Sequence, residues 1–296
     1  MQVKVEKQPK STIQVSVTVP NSKVKEAYSK VLEKVVTGAD LPGFRKGQAP
    51  KNMVEEKTNP SDLYGDVVNE LLETYYPQAI KENKISPISN PKIEIKEFEL
   101  DKDFEFVATI AVRPDIKIKS NYKAELEKLY KKQKKAFVEA NKDNKEADTT
   151  HFRLSANEAI KKLVELSNFD VSEVLVEEEV NRMISRIIQQ TQALGMSMDD
   201  FLKTQDKTVE SIKNDYEKTS EENIKAEFIL SHLINEEKIE ITDAEIDTMI
   251  GAVGDETAQK QMQDPMQRWY IKNILAKNKL LEKLLDDIEG KEKNKK

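Results

Sequence analysis

The sequence is first limited by what it lacks. None of its 296 residues is cysteine, so disulfide bonds, thiolate metal sites and cysteine nucleophiles are excluded. The chain contains two histidines, His151 and His232, and neither has a second histidine near it that could complete a zinc site. Both are therefore interpreted as structural or surface residues, and no metal or other cofactor is expected.

Motifs of nucleotide-binding and hydrolase sites are also missing. The sequence has no G-x-G-x-x-G, no Walker loop and no G-x-S-x-G, so nothing in it predicts nucleotide hydrolysis and no catalytic residue is assigned. It has no run of 18 apolar residues, and the charged, alternating start 1–6 is unlike a signal peptide. We therefore expect a cytoplasmic protein that does not enter a membrane.

Glycine and proline are scarce, with 8 and 10 residues, and this favours helix over sheet. The net charge of −6 is unevenly distributed. Residues 151–296 carry 21 basic and 30 acidic side chains, whereas residues 117–150 carry 10 and 6. An acidic second half argues against broad nucleic-acid binding there, so any contact with a polyanion is expected earlier in the chain.

The periodicity of apolar residues predicts an α+β unit at the start of the chain. Alternation indicates strands and a spacing of three to four indicates helices. The predicted elements are strands over 3–5, 13–19, 93–95 and 104–106 and helices over 24–38 and 61–84. Residues 1–114 are therefore predicted to have the order β-β-α-loop-α-β-β. Ser22 is expected to cap the first helix, and Pro77 to kink or split the second.

The rest of the chain is predicted to be helical and elongated. Residues 115–150 are interpreted as a basic linker. Its Lys/Glu/Ala-rich part, 121–148, is expected to form a solvated helix and then a polar loop, Asn141 to Thr150, and every segment from about Ser155 is expected to be helical. The body, 151–289, is followed by a tail, 290–296, expected to be disordered. Helix starts are predicted at five capping signals, Ser172, Ser197, Thr208, Thr242 and Asp264.

The lysine run Lys131–Lys135 has two interpretations. It is either an ordinary solvated helix face or a surface that contacts ribosomal RNA through phosphates.

The methionines of the second half also have two interpretations, as core fillers or as an adaptable surface for many partners. Met196, Met198, Met262 and Met266 lie near predicted helix ends, where exposure is favoured, and are the candidates for substrate binding. No other substrate-binding residue is assigned.

One loop conflicts with a purely structural interpretation. The segment 41–50, L-P-G-F-R-K-G-Q-A-P, places Phe44 beside Arg45 and Lys46 on a frame of glycine and proline. An aromatic residue next to two cations in a surface loop is suited to contact a partner. The alternative is a buried phenylalanine that pins an ordinary loop.

The segment G-F-R-K-G-Q-A-P resembles the G-F-R-x-G-x-x-P signature of the bacterial trigger factor family. The resemblance implies that Phe44, Arg45 and Lys46 bind the large ribosomal subunit at the polypeptide exit, and that Gly43, Gly47 and Pro50 form the loop frame. It also implies an ATP-independent chaperone whose helical body forms arms around a cradle for unfolded chains. Segments 114–122, 169–179 and 239–246 resemble further family segments, with Ser172 in place of a usual proline.

The chain departs from the family between residues 121 and 168. There the family carries an FKBP-type prolyl-isomerase domain of roughly a hundred residues, but this stretch is short, charged and without alternating strands. We therefore expect no inherited isomerase activity. The alternatives are a retained isomerase and a ribosome-docked adaptor without chaperone action. Expected partners are the ribosome and unfolded or nascent polypeptides, with a weak ribosomal RNA contact and a homodimer as further expectations, and no membrane.

Overall fold

The computed structural model describes residues 1–39, 44–45, 47–48, 50–57, 59–142, 152–204 and 206–290, with the backbone alone at Lys51 and Asp199. Two units are resolved. Unit 1 contains Met1–Pro114 and Asp170–Arg182, and unit 2 contains Asp115–Phe169 and Met183–Lys296. The sequence predictions for Asp143–His151 and for the tail after Gly290 lie outside the described residues.

The protein is an α+β protein that is mostly helical and has a small antiparallel sheet. In chain order, the elements are β1 (Gln2–Gln8), β2 (Thr12–Val19), α1 (Asn21–Gly38), α2 (Lys51–Lys57), a short 3-10 helix (Pro60–Leu63), α3 (Tyr64–Glu82), β3 (Lys92–Ile95), β4 (Phe104–Ala111), β5 (Lys117–Ile118), α4 (Tyr122–Ala140), α5 (Ala156–Glu165), β6 (Ser167–Asn168), α6 (Glu173–Ala193), α7 (Met198–Thr204), α8 (Val209–Glu236), α9 (Asp243–Gly251), α10 (Glu256–Met262) and α11 (Pro265–Glu289). Within the described residues, no helix is both long and apolar enough to cross a bilayer.

The sheet of unit 1 has the strand order β1-β2-β4-β3, and all its neighbours are antiparallel. Val15 pairs with Ala108 and Val17 with Phe106, so their side chains share one face of the sheet. All four are buried in the apolar core of unit 1, which also includes buried residues of α1 and α3. The alternation in the sequence thus marks the side of the sheet that the helices cover.

The first helix begins differently from its prediction. Helix α1 starts at Asn21 after Pro20, so the prediction of a Ser22 cap is wrong. The Asp103 carboxylate accepts the Asn21 backbone N–H at 2.8 Å. The Asn21 side-chain amide also donates to the carbonyl oxygens of Leu100 (2.7 Å) and Lys102 (3.0 Å), which fastens the helix start to the turn before β4. Pro77 lies inside α3 and does not split it.

The start of α6 packs in unit 1. Ser172 is 1% exposed, and its Oγ accepts hydrogen bonds from the Val174 backbone N–H (3.3 Å) and the Thr12 hydroxyl (2.9 Å). Lys10 pairs with Glu173 at 2.7 Å. The predicted capping role of Ser172 is therefore confirmed, and the same hydroxyl also accepts a hydrogen bond from Thr12, the first residue of β2.

Unit 2 corrects two predictions from the sequence. Not every segment after Ser155 is helical, because β6 pairs with β5 through Lys117 and Asn168. Two-residue strands are too short to produce a periodic signal. Helix α4 is also not solvated all round, since Tyr122, Leu126 and Tyr130 are buried in the core of the unit.

The main core of unit 2 is built from four helices. Leu126 of α4, Leu163 of α5, Leu233 of α8 and Leu280 of α11 have no exposed surface, and all belong to one apolar cluster. A smaller cluster lies at the start of α11, where Ile271 packs with residues of α9. The predicted caps of α8, α9 and α11 are confirmed, with Thr208 and Thr242 forming capping boxes and Asp264 accepting from the Met266 N–H.

A half-buried carboxylate joins three of these helices. The Glu237 side chain accepts hydrogen bonds from Lys123 (2.6 Å), Lys283 (2.7 Å) and the Tyr122 hydroxyl (3.1 Å). The bonds from Lys123 and Lys283 hold the pKa of Glu237 at about 2, below its ordinary 4.5. Burial, followed by the bond to Glu237, raises the pKa of Tyr122. The charged glutamate is therefore the form that the folded unit stabilises.

We expect Glu237→Gln to destabilise unit 2 in a pH-dependent way. Because the folded-state pKa is depressed, the carboxylate contributes stability above about pH 4.5, and this contribution is lost as the pH falls towards 2. The variant should lower the free energy of unfolding by on the order of 2 kcal/mol at neutral pH, measured by urea unfolding. The difference should shrink as the pH falls below 4.5.

The matched control is Glu236→Gln. The Glu236 side chain is 54% exposed and lies 3.7 Å from His232, so its replacement should change the free energy of unfolding by less than about 0.5 kcal/mol. A loss in Glu237→Gln that stays constant with pH would contradict the electrostatic origin.

Candidate functional site

The loop after α1 is closed at its base by a backbone hydrogen bond. The Gly47 N–H donates to the Ala39 carbonyl oxygen at 2.8 Å, and the Gln48 N–H donates to the Arg45 carbonyl oxygen at 2.8 Å. The bond between Gly47 and Ala39 closes the base of the loop. We call the bonded pair, Ala39 and Gly47, the clasp.

Gly47 is required at the clasp by its backbone and its surroundings. Its φ of +74° lies in the left-handed region, and a Cβ added there would be 2.6 Å from the Thr37 carbonyl oxygen. A backbone oxygen cannot move aside as the end of a flexible side chain can. The positive φ and the contact with Thr37 therefore explain why this position of the loop frame is glycine.

The described tip residues face solvent. Phe44 is 38% exposed and Arg45 is exposed, so the phenylalanine does not fill a core. Pro50 is also exposed, and its carbonyl oxygen accepts the Met53 N–H at 3.0 Å at the start of α2. Gly43 and Lys46, which the sequence analysis grouped with these residues, lie outside the described residues. An exposed ring beside a cation is suited to bind a surface rather than to catalyse a reaction.

A second candidate surface lies at the start of α11, ahead of most of its buried residues. Met266, Trp269 and Tyr270 are 75%, 65% and 59% exposed. They occur at positions i, i+3 and i+4, so they form one continuous apolar stripe on the helix. We call these three residues the α11 stripe.

Trp269 of the α11 stripe lines an open groove of about 490 Å³, which has a mainly apolar lining. The residues that line it are Ile234, Ile239, Glu240, Ile241, Trp269, Lys272, Asn273 and Ala276. Arg268 fixes the start of α11 next to this groove, because its guanidinium pairs with Asp247 at 2.5 Å and with Asp243 at 3.3 Å. The groove itself lies between the end of α8 with the following segment, 239–241, and α11.

The four candidate methionines differ in their environment. Met266 belongs to the exposed stripe, whereas Met262 is partly buried against the smaller core cluster. Met196 and Met198 are also partly buried, at the end of α6 and the start of α7. The sequence analysis did not assign Trp269, Tyr270 or the three isoleucines of the groove. The spacing of residues 266, 269 and 270 is the signal that could have identified the stripe.

The described part of the chain shows no metal centre. None of its groups of histidine, aspartate and glutamate residues is arranged to hold a metal ion. His232 lies on α8, 3.7 Å from Glu236, with 40% of its side chain exposed, whereas His151 lies outside the described residues.

Comparison with known families identifies the chain. The family model described as "Bacterial trigger factor protein (TF)" matches residues 1–145, and the one described as "Bacterial trigger factor protein (TF) C-terminus" matches residues 125–291. The second match covers more than half of the chain. The chain belongs to the trigger factor family. The resemblance found in the loop motif is therefore confirmed.

Individual trigger factors match the first part of the chain. The trigger factor of Staphylococcus carnosus (strain TM300) is 40% identical over 114 residues, which is 38% of this chain and 26% of that protein. The trigger factor of Clostridium acetobutylicum is 38% identical over 118 residues, which is 40% of this chain and 27% of that protein. The matched part thus spans about a quarter of the length of these curated relatives.

A solved structure shares the fold of this chain. It is reported as "Promiscuous Substrate Recognition in Folding and Assembly Activities of the Trigger Factor Chaperone". The match has a TM-score of 0.62 and 13% sequence identity, and it covers 97% of this chain and 100% of that one. At this identity the likeness establishes the fold.

We expect Gly47→Ala to open the clasp. The new side chain must adopt a left-handed backbone, at a cost of about 1–2 kcal/mol, and would also meet the Thr37 carbonyl oxygen. Amide hydrogen exchange at Gly47 should be slow in the wild type and fast at position 47 of the variant, because the bond to Ala39 is lost.

Gly195→Ala is the matched control for the clasp. Gly195 has a similar φ of +71°, but an added Cβ there would meet no atom within 4 Å. Exchange should therefore increase less around residue 195 than at the clasp. Equal increases at the two sites would show that backbone strain alone, without the contact to Thr37, explains the effect.

Proposed function

We propose that this protein is an ATP-independent, ribosome-associated chaperone of the cytoplasm. It binds nascent polypeptides at the exit tunnel of the large subunit and assists their folding without a cofactor. The observation that carries the proposal is the exposed Phe44–Arg45 tip on the clasped loop, in a chain that belongs to the trigger factor family. The groove and the α11 stripe supply an open apolar surface for clients.

We assign the two activities to different units. Residues 1–114 form the ribosome-binding domain, and support comes from unit 1, which contains this whole range and the clasped loop. Residues 151–289 form the client-binding domain, and support comes from the groove, which lies wholly within unit 2. Residues 115–150 are the linker that stands in place of an isomerase domain.

Docking through the loop follows from its chemistry. An exposed aromatic ring supplies contact area, and the neighbouring cations steer the loop towards an acidic surface of the ribosome. Because the clasp fixes the base of the loop, less conformational freedom is lost on binding than in an open loop. Phe44, Arg45 and Lys46 are the residues to which we assign this contact.

Replacing Phe44, Arg45 and Lys46 by alanine should abolish co-sedimentation with ribosomes and leave the prevention of aggregation intact. Truncating central aromatic and arginine contacts of an interface typically costs 2 kcal/mol or more, so binding should weaken at least about 30-fold. Sedimentation through a sucrose cushion at low and moderate salt measures this loss.

The matched control replaces Ile88, Lys81 and Lys57 by alanine. These residues are exposed in unit 1. Their replacement removes the same two positive charges and one exposed apolar side chain. This control should sediment like the wild type. Loss of sedimentation in both variants would argue for a non-specific charge effect and against docking through the loop.

Client binding at the groove requires no fuel. Burial of apolar surface contributes about 25 cal/mol per Å² before ordering costs, and it is non-directional, so many sequences can bind weakly. Trp269 and Tyr270 offer large rings that lose little rotamer freedom. Met266 adds an adaptable side chain that can pack against differently shaped partners.

Replacing Met266, Trp269 and Tyr270 by glutamine should reduce protection of a denatured client at least several-fold, because the exposed apolar area of α11 is removed. Light scattering of the aggregating client measures the effect. The control replaces Val138 and Val209 by glutamine as well. These are exposed aliphatic residues outside the groove, and the control should protect the client like the wild type. Full protection by the α11 variant would contradict client binding at this groove.

We further propose that the chain acts without prolyl-isomerase activity. Support comes from the pairing of Ile118 with Ser167, since the described residues between them form α4 and α5, which pack into the helical core. The two family matches also overlap at residues 125–145, which leaves no unmatched stretch between them for another domain. A protease-coupled prolyl-peptide assay should show no rate above background, and catalytic turnover would favour the isomerase alternative.

A further inference from the structure

The outer face of α4 forms a row of lysines. Lys131, Lys134, Lys135 and Lys142 border a shallow groove of about 550 Å³, together with Val138 and Glu139. Lys131, Lys134 and Lys135 fall on one side of α4, at i, i+3 and i+4, and Lys142 borders the same groove from the turn after the helix. At a rise of 1.5 Å per residue the row extends over about 16 Å. We call these four lysines the α4 row.

The buried face of α4 determines where this row points. Leu126 and Tyr130 are buried in the core of unit 2, and the Phe137 ring packs against Phe152 at 5.3 Å between centroids. Lys134 lies above this face, with its ammonium 5.4 Å from the centroid of the Tyr130 ring. Because one side of the helix is fixed in the core, the α4 row is held towards solvent.

Part of the charge of this face is not neutralised by the residues that the structure describes. Lys131 pairs with Glu127 at 2.5 Å. By contrast, Lys135, Lys142 and the adjacent Lys132 form no ion pair with any other residue that the structure describes, and all three are exposed. Glu139 is the acidic residue that borders the groove. The face therefore carries a net positive charge that an anionic partner can compensate.

We propose that the α4 row binds the phosphate backbone of RNA. Lysine ammonium groups are compact point charges that suit phosphate oxygens without demanding one geometry. The groove contains no aromatic side chain on which a base could stack, so the contact is made to the backbone and is independent of sequence. Three to four cations over about 16 Å match a short stretch of one strand.

An anionic membrane fits this face less well than a nucleic-acid strand does. The groove carries no large apolar side chain beyond Val138 that could insert into a bilayer. Residues 151–296 also carry 30 acidic against 21 basic side chains, which an extended anionic plane would repel. A single strand can instead follow the row without approaching the acidic parts of the surface.

This inference rests on the proposed function only in its biological setting, since a docked chaperone meets ribosomal RNA. The test uses free RNA, so the two can fail separately. Fluorescence anisotropy of a labelled RNA hairpin, titrated with the full chain at several salt concentrations, measures the affinity. About three phosphate contacts predict a slope of log K against log salt between roughly −2 and −3. Affinity should thus fall roughly 20- to 40-fold between about 50 and 200 mM salt.

The test variant is Lys131→Gln/Lys134→Gln/Lys135→Gln, since glutamine keeps helix propensity and removes only the charge. It should weaken RNA binding at least tenfold and make the slope less negative by about 2. The control, Lys203→Gln/Lys213→Gln/Lys218→Gln, removes the same charge from exposed sites elsewhere in unit 2 and should lose less than twofold.

Three results would overturn the inference: no RNA binding by the wild type, equal losses in both variants, or tighter binding to phosphatidylserine vesicles than to RNA through the same lysines. Ribosome sedimentation that depends on Phe44 but occurs without free-RNA binding would overturn this inference and leave the proposed function standing. RNA binding through the α4 row without ribosome sedimentation would support the inference and contradict the proposed function.

Discussion

The packing of four leucines determines the positions of the other features of unit 2. Leu126, Leu163, Leu233 and Leu280 come from four helices and are fully buried in one cluster. Burial of a leucine side chain contributes roughly 2 kcal/mol, and truncation to alanine costs about 2–5 kcal/mol because a cavity remains. Each helix is thereby fixed in rotation, since the leucine face must point inwards. The opposite face of each helix then points towards solvent.

The lysine surface of unit 2 follows from this constraint. Helix α11 directs Leu280 inwards, and the exposed residues Met266, Trp269 and Tyr270 lie at its start, ahead of that leucine. Helix α4 buries Leu126 and exposes the α4 row. The Glu237 bonds reinforce the arrangement, because they join α4 and α11 to the end of α8. The α4 row needs no dedicated scaffold, only a helix with two chemically different faces.

The sequence predicts features that depend on local chemistry. The capping box at Thr242, the proline start of α11 and the alternation of β2 are decided within a few residues, and each was found where predicted. Features that depend on distant partners were missed. The pairing of β5 with β6 joins two-residue segments, and the buried side of α4 is hidden among lysines. Phe44 belongs to both kinds of feature. Its motif is recognisable in the sequence, but its exposure depends on how the loop is closed at the clasp.

The central claim, that one chain both docks on the ribosome and holds a nascent polypeptide, can be tested by one crosslinking measurement. A photoreactive amino acid placed at Trp269 would be irradiated in the presence of ribosomes that carry a stalled, unfolded nascent chain. The account predicts a crosslink from position 269 to the nascent chain, which disappears when Phe44, Arg45 and Lys46 are replaced by alanine. A crosslink that is absent, or that persists unchanged without these three side chains, would contradict it.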